Sequence, residues 1–544
     1  MSHALRNRSI AAFLSIIAAL SAGPRLHSEP QPARAKLMVL IVVDQMRADY
    51  LERYGMRFTG GLRRLMREGA WFTNAAYPYL NTVTCAGHST IGTGMLPFHH
   101  GMIMNSWLDR STGKTPFCTD DPTVTEISYN GLQGGIGDSA NQMLAPAIGE
   151  QIRSRAQGRA VAMSIKSRSA IPLVGRSADA VVWFDDRGGW ATSSAFTRAP
   201  VPFLQQFISA NPVAADYAKV WTRTLDASAY QFVDDDPAER PGAGAARTFP
   251  HPLGIAGGKP DAAFFARWLG SPFSDEYLGR MAAAAVDALK LGSGEHTDLL
   301  AVSFSALDSV GHVYGPRSHE VQDLLVRLDL TIGRLLDHLD RTVGAGTYVL
   351  GLSADHGVAD IPEHVRGGRQ GSKEIKDGLS KVLTPALGAG DHVVATSYTD
   401  IYLSPAALER LRTDPKLRAA ALDGLRALPG VAQAFVGDDL RDAAARSSSD
   451  AMRRAAALSY YPGRSGDLII VPKENWLLSS NVTTHGTQYP YDQRVPVILF
   501  GTGVRAGRYA QAVTPADIVP TLAKLAHVSI APTDGRVLSE ALNR

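Results

Sequence analysis

Four short segments of this chain carry acids and imidazoles at spacings suited to metal ions. The run Tyr348 to Ser353 reads as a buried parallel strand and stops at adjacent Asp355 and His356, with Gly357 turning the chain. Asp298 to Phe304 (DLLAVSF) reads as a second strand, followed by Asp308 and His312. Those two are four residues apart, which on a helix sets both side chains on one face within reach of one ion. Lys36 to Val43 (KLMVLIVV) is a third strand, ending at Asp44, and His485 precedes a fourth, Val495 to Phe500. Each alone has a plain structural explanation, as a helix cap, a turn or a surface histidine. Together, at what reads as one edge of one sheet, three Asp and three His suit two zinc-like ions in mixed N/O coordination.

Ions need something to act on, and Tyr77 to Gly94 (YPYLNTVTCAGHSTIGTG) supplies hydroxyls. A Thr-rich turn leads into a Gly- and Ser-rich stretch that reads as a helix start. A nucleophile or a bound phosphate there gains from the positive end of the helix dipole. Thr82, Thr84, Cys85 and Ser89 are the candidates. A hydroxyl needs a base or a metal to become a good nucleophile near neutral pH. Further on, Ile165-Lys166-Ser167-Arg168 continues the strand-like Ala160 to Ile165. Strand alternation would project Lys166 and Arg168 to one side, two cations suited to a dianionic phosphoryl group.

Asp44, Thr84-x-x-x-His88, Asp308-x-x-x-His312, Asp355-His356-Gly357 and His485 together resemble the alkaline phosphatase superfamily, in the expected chain order. The similarity is to the Thr-nucleophile branch shared by nucleotide pyrophosphatase/phosphodiesterases and PafA-type alkaline phosphatases, and runs from about Leu37 to the C-terminus. The segments Val495 to Ile498 and Thr514 to Thr521 resemble that superfamily's closing strand and helix. The resemblance implies an α/β fold, a mostly parallel sheet flanked by helices with inserted cap and loop regions. It implies Thr84 as nucleophile through a phosphothreonine intermediate, and two zinc ions. One would be held by Asp308, His312 and His485, the other by Asp44, Asp355 and His356 with the Thr84 oxygen. Asn105 matches the Asn that bonds a phosphate oxygen. A Lys-x-Arg pair at the place of Lys166 and Arg168 marks monoesterases of the branch. The sulfatase motif is not matched, since Cys85 is followed by Ala86-Gly87-His88-Ser89 without its Pro and Arg. The implied substrates are phosphate monoesters. The rival activity is a phosphodiesterase or nucleotide pyrophosphatase with the same metals. A non-catalytic phosphate-binding protein would have no need of Thr84.

With 544 residues, 45% hydrophobic and 20% charged, the chain is globular. A net charge of +3 without a basic tract leaves no nucleic-acid footprint. Arg6 and Arg8 precede an apolar run, Ile10 to Ala22, which is short for a membrane span and fits a signal peptide over 1–22. A periplasmic or secreted catalytic domain over 36–544 is expected, with no membrane span after signal removal. The two cysteines, Cys85 and Cys118, are either paired in an oxidising compartment or two buried thiols. Residues 106–150 read as an excursion outside the sheet. Residues 185–275 and 393–475 read as insertions. The run Asp234-Asp235-Asp236-Pro237 has the charge for an additional calcium but not the ligand spacing, and reads better as a solvated turn.

Overall fold

A computed structural model describes residues 34–543 apart from positions 133, 186 and 243. The expected signal peptide lies outside the described residues. The core is an eleven-stranded mixed sheet. Its order is 507–513, 70–75, 497–501, 348–353, 37–43, 298–304, 160–164, 180–184, 190–193, 120–128, 136–138.

The five strands from 348–353 to 180–184 are parallel neighbours. Leu37–Val43, Asp298–Phe304 and Tyr348–Ser353 are buried at every position. Such strands read as continuous apolar runs because both faces are covered by helices. Pro272–Leu289, His319–Leu339 and Gly61–Glu68 pack together, and Thr84–Thr93, Ser167–Val174 and Ile518–Leu525 form a second group.

Register decides where the chemistry lies. Val43 pairs with Phe304, Val42 with Ser353, and Ser303 with Ser164. The chain therefore leaves all four strands at one edge, where Asp44, Asp308, Asp355 and Lys166 follow. Strand 37–43 lies between 298–304 and 348–353, so the crevice falls where the chain's direction around the sheet reverses. The Val497–Gly501 strand is antiparallel to 348–353, and 70–75 is antiparallel to it in turn. One strand thus begins, and the other ends, at the same edge, delivering the His485 loop and the Thr84 helix.

Two segments depart from the sequence reading. Asp120–Ser128 and Ile136–Asp138, within the expected excursion, form one end of the large sheet. Their partly exposed, polar faces are those of edge strands and give no apolar run to read. Strand 160–164 ends at Ser164, Lys166 is the residue before a helix, and Arg168 lies in that helix's first turn. The expected strand alternation of Lys166 and Arg168 therefore does not hold.

Within 372–478 a four-stranded sheet, hydrogen-bonded separately from the large one, carries its own apolar cluster with helices Ser372–Leu387, Pro405–Thr413 and Pro415–Arg426. In the Asp run, Asp234 pairs with Arg223 and His319, Asp235 with Arg247, and Asp236 with His364. The segment is made of bends and a turn, with Asp235 exposed, and its carboxylates face these basic side chains.

Candidate active site

Thr84 is the first residue of the Thr84–Thr93 helix, after extended Val83. Every residue of that helix is buried. Small residues allow this: a Cβ on Gly87 would stand 2.2 Å from the Asp355 carbonyl oxygen, so only glycine lets the helix lie against that strand end. Asn105 Oδ1 accepts from the Cys85 N–H at 2.9 Å, and the Asn105 carbonyl accepts from the Cys118 N–H at 2.8 Å. Cys85 and Cys118 are disulfide-bonded, so the helix start, Asn105 and the 117–118 turn are stapled together. Thr84 Oγ1 faces His356 Nε2 at 3.5 Å.

The Ala306–Tyr314 helix presents Asp308 and His312 one turn apart, with Asp308 Oδ1 3.2 Å from His312 Nε2. His485 Nε2 lies 3.7 Å from the same oxygen. Asp44 Oδ1 and Asp355 Oδ2 lie 3.5 and 3.2 Å from His356 Nε2. The Lys166 ammonium reaches Asp44 Oδ2 at 2.7 Å and Asp308 Oδ2 at 2.5 Å. Arg168 lines a cavity of about 550 Å³ together with Lys166, Phe117 and Ser309, and its guanidinium is 5.9 Å from the Phe117 ring. Helix geometry, not strand alternation, thus brings the two cations to one cavity.

The donor set fits divalent metal ions. Each histidine has Nδ1 beside a backbone carbonyl: His312 to Thr483 at 3.0 Å, His485 to Thr82 at 2.9 Å, His356 to Gly357 at 2.9 Å. A carbonyl only accepts, so Nδ1 carries a proton and Nε2 is the nitrogen left to face a metal, as in metal-ligating histidines. Asp44 Oδ1 is buried without a hydrogen bond, and Asp355 Oδ2 faces the His356 and His88 rings. Asp308, His312 and His485 converge closely enough for one ion, and Asp44, Asp308 and His356 for another. Asp308 thus belongs to both groups, and Asp355 stands beside His356.

The electrostatics also call for cations. Burial would raise Asp308, but Lys166 and His312 hold it well below the usual carboxylate range. Burial would likewise raise Asp355, and His356 with His88 holds it well below. Burial, then repulsion from Asp308 and Asp355, pushes Asp44 up to about 6. Burial would depress His356, but Asp355 raises it to about 9, whereas burial with His356 and His312 alongside keeps His485 well below its ordinary value. Three buried carboxylates face one ammonium and the imidazoles, a charge balance with room for divalent ions.

Comparison with known proteins gives the family. The type I phosphodiesterase / nucleotide pyrophosphatase family profile matches residues 38–492. The chain belongs to that family. It is 30% identical to alkaline phosphatase PhoV of Synechococcus elongatus, over 94% of this chain and 93% of that protein. It is 29% identical to alkaline phosphatase PafA of Elizabethkingia meningoseptica, over 97% and 98%. The crystal structure of wild-type PafA superposes with a TM-score of 0.85, at 29% identity, over 94% of this chain and 99% of that one. The resemblance read from the sequence and the α/β fold it implied are borne out.

Three further residues border these ligands. Gln45 donates from its backbone N–H to Asp355 Oδ1 at 3.1 Å and from Nε2 to Asp308 Oδ1 at 2.7 Å. His88 bridges the Thr84 carbonyl (3.0 Å), Ser303 Oγ (2.8 Å) and Asp355 Oδ2 (3.2 Å). Asp275, pushed by burial up to about 7, approaches Asp44 and Lys166 from the Pro272–Leu289 helix. Only His88 lies in a recognisable motif. The other two follow or interrupt apolar stretches as ordinary polar residues do.

Proposed function

We propose that this family member is a phosphate monoester hydrolase of the alkaline phosphatase type, acting through a phosphothreonine intermediate. The observation that carries the proposal is the convergence of the Thr84 hydroxyl with three histidines and three aspartates at one sheet edge. The alkaline phosphatase names of its relatives support the same reading.

Asp308, His312 and His485 would hold one zinc ion, and Asp44, Asp355 and His356 with the Thr84 oxygen a second. Such ions, when bound, lower the pKa of a hydroxyl or water and neutralise charge on phosphoryl oxygens. Thr84 Oγ1 gives up its proton and attacks phosphorus in line, the bond to the ester oxygen breaks, that oxygen takes up a proton and leaves as the alcohol, and the phosphoryl group passes to Thr84. Water then cleaves the Thr84–phosphate bond, releasing inorganic phosphate and restoring the hydroxyl. The helix N-terminus favours the anion that Thr84 receives. Asn105, its Oδ1 held by the Cys85 N–H, offers its amide hydrogens to one phosphoryl oxygen. Lys166 and Arg168 supply positive charge to the others.

The family's name favours a second reading, a phosphodiesterase. The cavity beside Lys166 and Arg168 could take a second ester group. Hydrolysis of an aryl phosphate and its methyl diester by the zinc-loaded protein decides between them. Preference for the monoester, lost in chelator, is expected. Preference for the diester overturns the monoesterase assignment, and full activity in chelator overturns the metal assignment. The Cys85–Cys118 disulfide supports residence in an oxidising compartment, periplasmic or extracellular. No helix among the described residues is long and apolar enough to cross a membrane.

A further inference from the structure

Gln45 directly follows the Leu37–Val43 strand and Asp44, and is buried. Its φ is +69°, in the left-handed region that favours glycine, yet the residue is glutamine. That conformation turns its backbone N–H onto Asp355 Oδ1 at 3.1 Å. The side chain reaches the other way, Nε2 donating to Asp308 Oδ1 at 2.7 Å. A carboxylate only accepts, so the amide orientation is fixed by its partner. The amide oxygen lies against the helix that carries Asp308 and His312: a Cβ on Gly311 would stand 1.8 Å from Gln45 Oε1. Gly311 thus leaves the seat the amide occupies.

We infer that Gln45 is a positioning residue whose side chain holds the Asp308 carboxylate for the ion of Asp308, His312 and His485, while its backbone serves Asp355 independently. The inference rests on the two-ion reading above. It differs from that reading in predicting asymmetry, because Gln45 Nε2 holds Oδ1, the Asp308 oxygen that faces His312 and His485, while the backbone N–H holds Asp355. Removing the side chain deprives Asp308 of a donor and leaves the N–H on Asp355 in place. A neutral amide suits the position, since a Glu there would set a fourth carboxylate against Asp308. Hydrogen-bond partners of metal ligands typically contribute 10–100-fold to metal affinity.

The test uses the purified full chain, stripped of metal and titrated with Zn²⁺ against a chromophoric chelator, with Tm of the stripped protein as the folding control. The wild type is expected to bind two ions. In Gln45→Ala one affinity should fall about 10–100-fold, with the other changed less than about threefold. Gly311→Ala should reproduce this loss, because its methyl displaces only the far end of the Gln45 side chain. In a His485→Ala background, where the affected site is already disabled, Gln45→Ala should add nothing to the remaining affinity. Equal loss at both sites, or no loss at either with Tm unchanged, overturns the inference. A fall in Tm with two unchanged affinities overturns it as well, by showing a purely structural role. A wild type that binds no zinc would instead sink the two-ion reading itself.

Discussion

Replacing Arg168 with alanine should narrow the protein's preference for monoesters over diesters. Arg168 lies in the first turn of the Ser167–Val174 helix, with a buried Nε that has no hydrogen-bond partner, and it shares its cavity with Lys166. A charged hydrogen bond to a phosphoryl oxygen is worth about 1.5–3 kcal/mol, so its loss should lower monoester kcat/KM roughly 10- to 150-fold. The monoester brings two negative charges to the guanidinium and the diester one. The Coulomb contribution scales with that charge, so the diester should lose about half the free energy. A loss of about 100-fold on the monoester then corresponds to about 10-fold on the diester. The assay is kcat/KM for an aryl phosphate and the matched methyl aryl diester, wild type against Arg168→Ala. Lys166→Ala forms a second arm, read together with zinc content because Lys166 touches Asp44 and Asp308. Equal losses of Arg168→Ala on both substrates would refute the reasoning and make Arg168 a general binding or folding residue.

Thr84→Ala should abolish most turnover while Tm stays near wild type, and Thr84→Ser should keep part of the activity; normal turnover in Thr84→Ala would move the nucleophile elsewhere. Burial pushes Asp400 from its ordinary 3.8 up to about 6, so its contribution to stability is complete below about pH 4 and is lost as pH rises through about 6. An asparagine there mimics the protonated acid, keeping an acceptor for the Gly466 N–H and giving Thr399 Oγ1 a donor. Asp400→Asn should therefore gain Tm over wild type at pH 8, by up to roughly 2–3 kcal/mol of stability, and little at pH 4; a gap independent of pH counts against it. The Cys85–Cys118 bridge closes a 33-residue span, and chain entropy assigns such a loop about 3–4 kcal/mol. Cys118→Ala should lower Tm and also activity, because the staple holds Asn105 beside Thr84; a Tm loss with unchanged kcat/KM would separate the two.

The sequence by itself determined the strands that make the sheet's centre and the acids at their ends. Leu37–Val43, Asp298–Phe304 and Tyr348–Ser353 are legible because strands covered on both faces are largely apolar runs, and a carboxylate follows shortly after each, at Asp44, Asp308 and Asp355. Asp308 and His312 are legible because helical spacing is local. Tertiary structure alone decided how distant pieces meet. Nothing near His485 tells that the following strand runs antiparallel and opens at the same edge, since strand direction is set by hydrogen bonds to residues far away in the chain. The Asp120–Ser128 strand gives no apolar run because only part of it is covered. Lys166 is aimed at Asp44 and Asp308 by the helix that begins after it, a turn that periodicity in Ala160 to Ile165 does not report. Gln45 reads as an ordinary polar residue after a strand, and its place between Asp355 and Asp308 exists only once three strands are in register. Local pattern records which face of an element is buried; partner, direction and register come from long-range pairing, and the site is assembled by those.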